Sequence, residues 1–453
     1  MKQNNKIEFH IPLIFSVSML LAMMLPTLSL PYCYSETQLL GDSIFYLMNH
    51  GIGAVFCNND VQLPDLFSLI FSYVTKYLGS NPWILHSITL IFSAFSIIIA
   101  YKFGKFFCSV QAGVMAAGIM CTQNVFVAQS GLILPIMMLN CSILGAFYFF
   151  YREKYNWCMI ASSAATLIDI TGFASAIFMF VAHFKMKYRE WTVRQNIMMT
   201  IPIALWFLYQ FASIAICGKI TIRNINFDWM NWITNLRFIA VDQYRIVITG
   251  ILAIILIVNM INKQMQYFVK DMANNGIILM VIYFAVNSVF GDSNSWNLPA
   301  ISMLMIFTGC TISTLHVSYY YKYIIACSMM MASAMSAISK TDFSDAHVNY
   351  KSKIKVDLKT VRLIEENAEG EEVIFCDKYF QRFITVKELG YRQGAKNYEC
   401  VTSNEDIFKI YNWTIYSNFD PTESLKLARE DGDYEKRSTI YIEDCCNEIY
   451  QLK

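Results

Sequence analysis

Apolar residues fall into long runs over the first 339 positions and into short alternating or helix-spaced groups after that. A bilayer core of roughly 30 Å takes about 20 helical residues to cross. Placed by their flanking charges, the runs predict eleven membrane segments, at 11–31, 82–101, 109–125, 132–151, 156–168, 170–184, 197–216, 246–261, 276–290, 298–315 and 323–339. The fifth and sixth are too short to span alone. They read as a tight re-entrant pair bent at Asp169–Gly172, or as two tilted short spans.

From Lys340 the pattern is that of water-soluble chain. Leu358–Asn367 predicts an amphipathic helix stopped by Gly370, and Glu372–Cys376, Phe383–Val386 and Ser438–Ile442 have strand composition. Two short helices are expected at 405–411 and 423–429. The chain thus divides into a membrane domain, 1–339, and a small α/β domain, 340–453. The latter shows no phosphate loop, metal-spaced cluster or nucleophile elbow, so a covering or acceptor-binding role outranks a second active site.

Composition sharpens the division. The chain is 56% apolar and only 15% charged, with mean hydropathy +0.39, where soluble domains carry about a quarter charged residues. Residues 340–453 hold 17 of the 35 basic and 22 of the 34 acidic side chains. A net charge of +1 without any basic run excludes a nucleic-acid partner, whose polyanion needs clustered cations.

Between the segments, one side collects 13 basic against 4 acidic residues and the other 5 against 8. Positive charge stays cytoplasmic, which puts the amino terminus inside and, after an odd number of crossings, the last 114 residues outside. Lys2 and Lys6 precede the first run, yet residues 27–35 offer no small-residue cleavage site. The first segment is read as an uncleaved helix of an integral plasma or inner membrane protein.

Two outside connections carry the candidate chemistry. The first, 32–81, contains Glu36, Asp42, Asp60 and Asp65. Its first half spaces Leu39, Leu40, Ile44, Leu47 and Met48 as a helix, expected to lie in the interface with Glu36 and Asp42 facing water or a cavity. A second amphipathic helix is expected over Leu66–Leu78, stopped by Gly79. The second connection, 217–245, sets Lys219, Arg223, Arg237 and Arg245 among Trp229, Trp232 and Phe238. Tryptophan belongs at headgroup depth, so these cations either hold an anionic lipid phosphate or anchor the flanking helices.

Thirteen cysteines are present, most of them inside apolar segments, where a thiol packs as a small hydrophobe. Cys33 and Cys57 share the first outside loop and could bridge in an oxidising compartment. No C-x-x-C and no zinc-spaced His pair occurs, and no metal or cofactor is expected.

A first crossing, a long acidic outside loop, many further crossings and a small outside domain follow one another here. This order resembles the membrane glycosyltransferases of the GT-C fold, especially the protein O-mannosyltransferase and lipid A aminoarabinose transferase branch. Ser35-Glu36 stands where that branch carries an Asp-Glu pair, and Pro64-Asp65-Leu66 leading to Leu78-Gly79-Ser80-Asn81-Pro82-Trp83 is similar to its step into the second crossing. The departures are Ser35 in place of the first acid and a single Pro, without Lys, at Gln62-Leu63-Pro64-Asp65.

The resemblance implies a polytopic α-helical GT-C-like membrane domain with an extracytoplasmic α/β domain. It implies transfer of a sugar from a polyprenyl-phosphate donor to an outside glycan, lipid or protein. In that reading Glu36 or Asp42 is the base, and Arg223, Arg237, Arg245, Lys219 and Lys76 receive the donor phosphate. The rivals are an inactive relative that binds lipid-linked sugar and a transporter or flippase. The last would need ionisable or polar groups at the bilayer midplane or inverted repeats, and the sequence shows no charge in the middle of any long segment and no repeat.

Overall fold

The computed structural model describes residues 11–25, 28–29, 32–51, 53, 66–185, 192–218, 229–237, 267–290, 297–315, 318–338, 347–368, 372–386, 389, 398–401, 411–417, 433–442 and 445–452. The chain divides into two compact units. One comprises Met1–Ser29, His50–Phe71 and Trp83–Phe343; the other comprises Leu30–Asn49, Ser72–Pro82 and Ser344–Lys453.

The first unit is helical: α1 (Ile11–Met24), then, after α2 (Tyr34–Leu39) and α3 (Tyr46–His50) of the other unit's segment, α4 (Leu66–Leu78), whose residues from Ser72 belong to the other unit, α5 (Pro82–Phe107), α6 (Val110–Thr122), α7 (Asn124–Ser130), α8 (Pro135–Tyr151), α9 (Tyr155–Ile168), α10 (Ile170–Lys185), α11 (Val193–Cys217), α12 (Trp229–Arg237), α13 (Tyr267–Phe290), α14 (Leu298–Thr314) and α15 (Tyr319–Ile338). The helices begin where sequence supplies a start. Proline opens α5, a first-turn Pro opens α8 and α14, and Thr192 caps α11 by accepting from the Gln195 N–H at 3.4 Å.

Two of these helices, α5 and α11, are long and apolar enough to cross a bilayer, and α6 with α7 makes a third if that pair, bent by 67°, is one span. The bend follows from Gln123, whose extended backbone breaks the helix between Thr122 and Asn124. The other apolar helices are shorter, 14 residues in α1 and 17 in α8. The expected segment 246–261 lies outside the described residues. The expected fifth and sixth segments are α9 and α10, packed on each other, with Gly172 so close to α9 that a β-carbon there would meet the Ala165 carbonyl.

A helix that is apolar all round must be buried, and α14 is: every residue from Leu298 to Ile312 except Leu304 is withdrawn from solvent. It packs on α6, α8 and α13. On the outside of the unit, α11 exposes Phe207, Leu208, Phe211 and Ile214 and α9 exposes Trp157 and Ile160. Apolar exposure on this scale belongs against lipid. Polar side chains go inward instead: Ser96 accepts from Asn140 at 3.3 Å and the Ser93 hydroxyl donates to the Ser130 carbonyl at 3.1 Å.

The second unit holds a five-stranded sheet of order β2-β1-β3-β5-β4, built from β1 (Glu372–Phe375), β2 (Tyr398–Val401), β3 (Trp413–Ser417), β4 (Tyr434–Ile442) and β5 (Cys445–Leu452). β1 runs parallel to β2 and β3, and β5 runs antiparallel to β3 and β4. Helix α16 (His347–Asn367) lies on β4 and β5, and α17 (Lys378–Thr385) packs on α16 and β2.

Phe383–Val386, expected as a strand, is helical through Thr385. The Asp377 carboxylate accepts the Phe380 N–H at 2.7 Å and starts α17, and Phe380, Phe383 and Ile384 then share one buried face at helical spacing. The segments 405–410 and 423–429 lie outside the described residues.

Candidate functional site

The residues of the first acidic loop fold as a helical run. α2 continues through a π-helical turn, Leu40–Phe45, into α3, and Leu40, Ile44, Phe45 and Leu47 are buried along it. Glu36, expected to face water or a cavity, is fully buried. Its Oε2 accepts the backbone N–H of Cys33 at 2.8 Å. An acid three residues into a helix satisfies an N–H that the helix leaves without an internal partner, and its charge is favoured at the positive helix end.

Tyr32 sits beside it. Its phenol donates to the Ser80 carbonyl at 2.6 Å, tying the start of the loop to the Gly79 turn. That turn needs glycine: Gly79 has φ +83°, and its N–H closes α4 on the Thr75 carbonyl at 2.9 Å. Burial first, and the nearby Glu36 charge second, push the Tyr32 pKa up from 10.0. The phenol therefore stays protonated at physiological pH, and its one O–H is given to the Ser80 carbonyl. Sequence reasoning passed over Tyr32; its only local signal is an aromatic residue beside Pro31 ahead of a helix start.

Within the same unit, α2 packs against α17. The buried acid is thus housed by a helix from the far end of the chain. Asp42 lies on the π-helical turn and is half-exposed, on a different side of the run from buried Glu36. Lys76 is exposed on the last turn of α4.

Of the four cations in the second connection, Arg237 is described: it is exposed at the carboxyl end of α12. α12 packs on α13, with Trp232 edge-on to Phe284 at 5.8 Å, and exposes Met230, Ile233 and Leu236. An exposed apolar face next to a basic end is the pattern of an interfacial helix. Lys219, Arg223 and Arg245 lie outside the described residues, as does Cys57; the Cys33 thiol is buried.

Two further polar residues of the first unit have defined roles. His86 is buried, with Nδ1 3.0 Å from the Leu28 carbonyl. Asp169 starts α10: one oxygen accepts the Thr171 N–H at 2.9 Å and the Thr171 hydroxyl at 2.7 Å, and that hydroxyl lies 3.2 Å from the Tyr283 phenol. Among the described residues no group of three or more His, Cys, Asp or Glu is placed to hold a metal ion.

No protein-family model and no curated protein matches the sequence. Solved structures do match in fold. ArnT from Cupriavidus metallidurans in the apo state aligns at TM-score 0.59 with 10% identity, over 96% of this chain and 97% of that one. The same protein bound to undecaprenyl phosphate aligns at TM-score 0.57 with 10% identity over the same shares. The fold of this chain is accordingly the GT-C fold.

Proposed function

We propose that this chain is a membrane glycosyltransferase that moves a sugar from a polyprenyl-phosphate donor to a hydroxyl-bearing acceptor outside the membrane. The observation that carries the reading is the fold likeness over 96% of the chain to a protein crystallised with undecaprenyl phosphate. The chain lies in the cell envelope membrane with its amino terminus inside and its α/β domain outside, through about eleven crossings.

In the reaction the acceptor oxygen bonds to the anomeric carbon as the bond from that carbon to the phosphate oxygen breaks. The acceptor proton passes to a carboxylate, Glu36 or Asp42, and the lipid phosphate leaves with the electron pair. Lys219, Arg223, Arg237, Arg245 and Lys76 are the proposed cations that meet its growing charge.

A second reading has its own support. Ser35 replaces the first acid of the family pair, and Glu36 holds a helix start. Both fit a relative that binds lipid-linked sugar without transferring it. The purified chain in liposomes with a labelled undecaprenyl-phosphate sugar and envelope extract separates the two. Release of undecaprenyl phosphate with label on an acceptor supports transfer. Saturable donor binding with no release supports the binder and overturns the enzyme.

A further inference from the structure

A polar cleft of about 450 Å³ opens in the first unit where the α8–α9 turn meets the start of α11. Lys154 and Arg194 line it with Gln195, Asn156 and the single acid Glu153. Both cations are exposed. The neighbouring cation Arg152 is directed elsewhere, its guanidinium lying 4.6 Å from the centre of the Phe106 ring. The turn that presents Lys154 is held in place, since Glu153 takes a left-handed φ of 59° and the Lys154 N–H bonds the Phe149 carbonyl at 3.0 Å.

Below the cleft the surface turns apolar along two separate tracks. α9 carries exposed Trp157 and Ile160, and α11 carries exposed Val193 and Ile197. Both helices start at the cleft and pack together, so the tracks begin beside one anion-sized polar head pocket. Trp157 is 57% exposed, the exposure expected of a ring at headgroup depth. By the charge asymmetry of the loops this end of the unit faces the cytoplasm, where anionic lipids concentrate and each nearby cation is worth about 1 kcal/mol.

We infer that this cleft is a binding site for an anionic glycerophospholipid of the inner leaflet. Its phosphate sits between Lys154 and Arg194, and its two acyl chains lie along the α9 and α11 tracks. The paired tracks favour a two-chain lipid over a single prenyl chain. The site is separate from the transfer reaction, and neither cation belongs to the proposed catalytic or donor-binding set.

The test titrates the full purified chain in detergent with short-chain phosphatidylglycerol, read by native mass spectrometry. Lys154→Gln or Arg194→Gln should each weaken binding about fivefold and the pair about 25-fold, while Arg194→Lys should stay within about twofold of the parent. Phosphatidylcholine should bind weakly to all of them. Lys102→Gln, an exposed cation on α5, should leave binding unchanged.

Equal loss in Lys102→Gln, or no loss in the single and double variants, overturns the site. Tighter retention of undecaprenyl phosphate than phosphatidylglycerol, or competition by millimolar inorganic phosphate, overturns the two-chain lipid as its occupant. The sugar-transfer assay on the same preparations is read independently. Loss of lipid binding with full transfer supports the site and leaves the enzymatic reading standing.

Discussion

The ammonium of Lys353 donates to the Asp357 carboxylate one helical turn away at 2.7 Å, with both side chains withdrawn from water. Asp377, at the start of α17, accepts from the same nitrogen at 3.1 Å, and Asn447 of β5 donates to Asp357 at 2.8 Å. One cation is therefore shared by two buried acids, and it joins helix, turn and strand.

Burial, ahead of the attraction of Lys353 and with Asp377 adding to it, raises Asp357 from 3.8 to about 6. A raised acid binds its proton more tightly folded than unfolded, so its contribution favours the fold at low pH and is lost as pH rises through about 6. Protease resistance of residues 347–452 in the full chain should fall between about pH 4 and pH 6, and Asp357→Asn should flatten that slope. Lys353→Met leaves two buried carboxylates without their cation and should destabilise by about 3 to 5 kcal/mol. An unchanged slope in Asp357→Asn assigns the titration elsewhere.

Glu36→Gln keeps an oxygen that can accept the Cys33 N–H. It should leave the melting temperature within about 1 °C, a shift of about 1 kcal/mol or less, while lowering transfer by at least about 100-fold, the low end of what a general base supplies. Parent-level transfer from a folded Glu36→Gln protein removes Glu36 as the base. Glu36→Ala also loses the helix-start bond and should cost about 1 kcal/mol.

Arg237→Ala, at the exposed end of α12, should raise the KM for the lipid donor about tenfold, as loss of a charge-assisted phosphate contact worth about 1.4 kcal/mol implies. The acceptor KM should hold steady. Equal rises in both would place Arg237 in helix anchoring. The salt dependence of the donor KM should weaken in Arg223→Ala and Arg245→Ala, because those variants remove charges that salt screens from the phosphate.

Gly172→Ala forces a methyl group against the Ala165 carbonyl. Overpacking of this kind costs about 1 to 3 kcal/mol, and thermal unfolding in detergent should show it as an earlier transition. Gly218→Ala, where φ is +67° but nothing lies within 4 Å, should show only the smaller backbone penalty. A larger effect at Gly218 would mean that backbone conformation, not the crossing of α9 and α10, limits this unit.

The helices of the first unit were legible because a bilayer imposes a length and an apolarity that local sequence must carry. The run from Pro82 shows it, forming the 26-residue α5, whereas the helix from Ile11 ends after 14 residues. The tail was harder. Phe383, Ile384 and Thr385 suit a strand by composition, yet Asp377 caps a helix whose buried face is Phe380, Phe383 and Ile384. Three of the five strands, β2, β3 and β5, were missed, since each gains its identity from pairing. Trp413, wholly buried with its indole N–H on Glu372, depends on a partner 41 residues away.

The candidate site was half legible. Position and charge singled out Glu36, but the packing of its helix α2 against α17 brings together chain segments that meet only in three dimensions. The Lys353 cluster was invisible for the same reason, as Asp357 and Asn447 stand 90 residues apart.

Segments 30–49 and 72–82 share a compact unit with 344–453. During synthesis, the acid-bearing stretch therefore emerges early and waits for its housing until the final hundred residues leave the ribosome. Closing so long a chain makes this a late folding event. A chain stopped before residue 344 therefore lacks the sheet and the helix α17 that share a unit with the Glu36 segment.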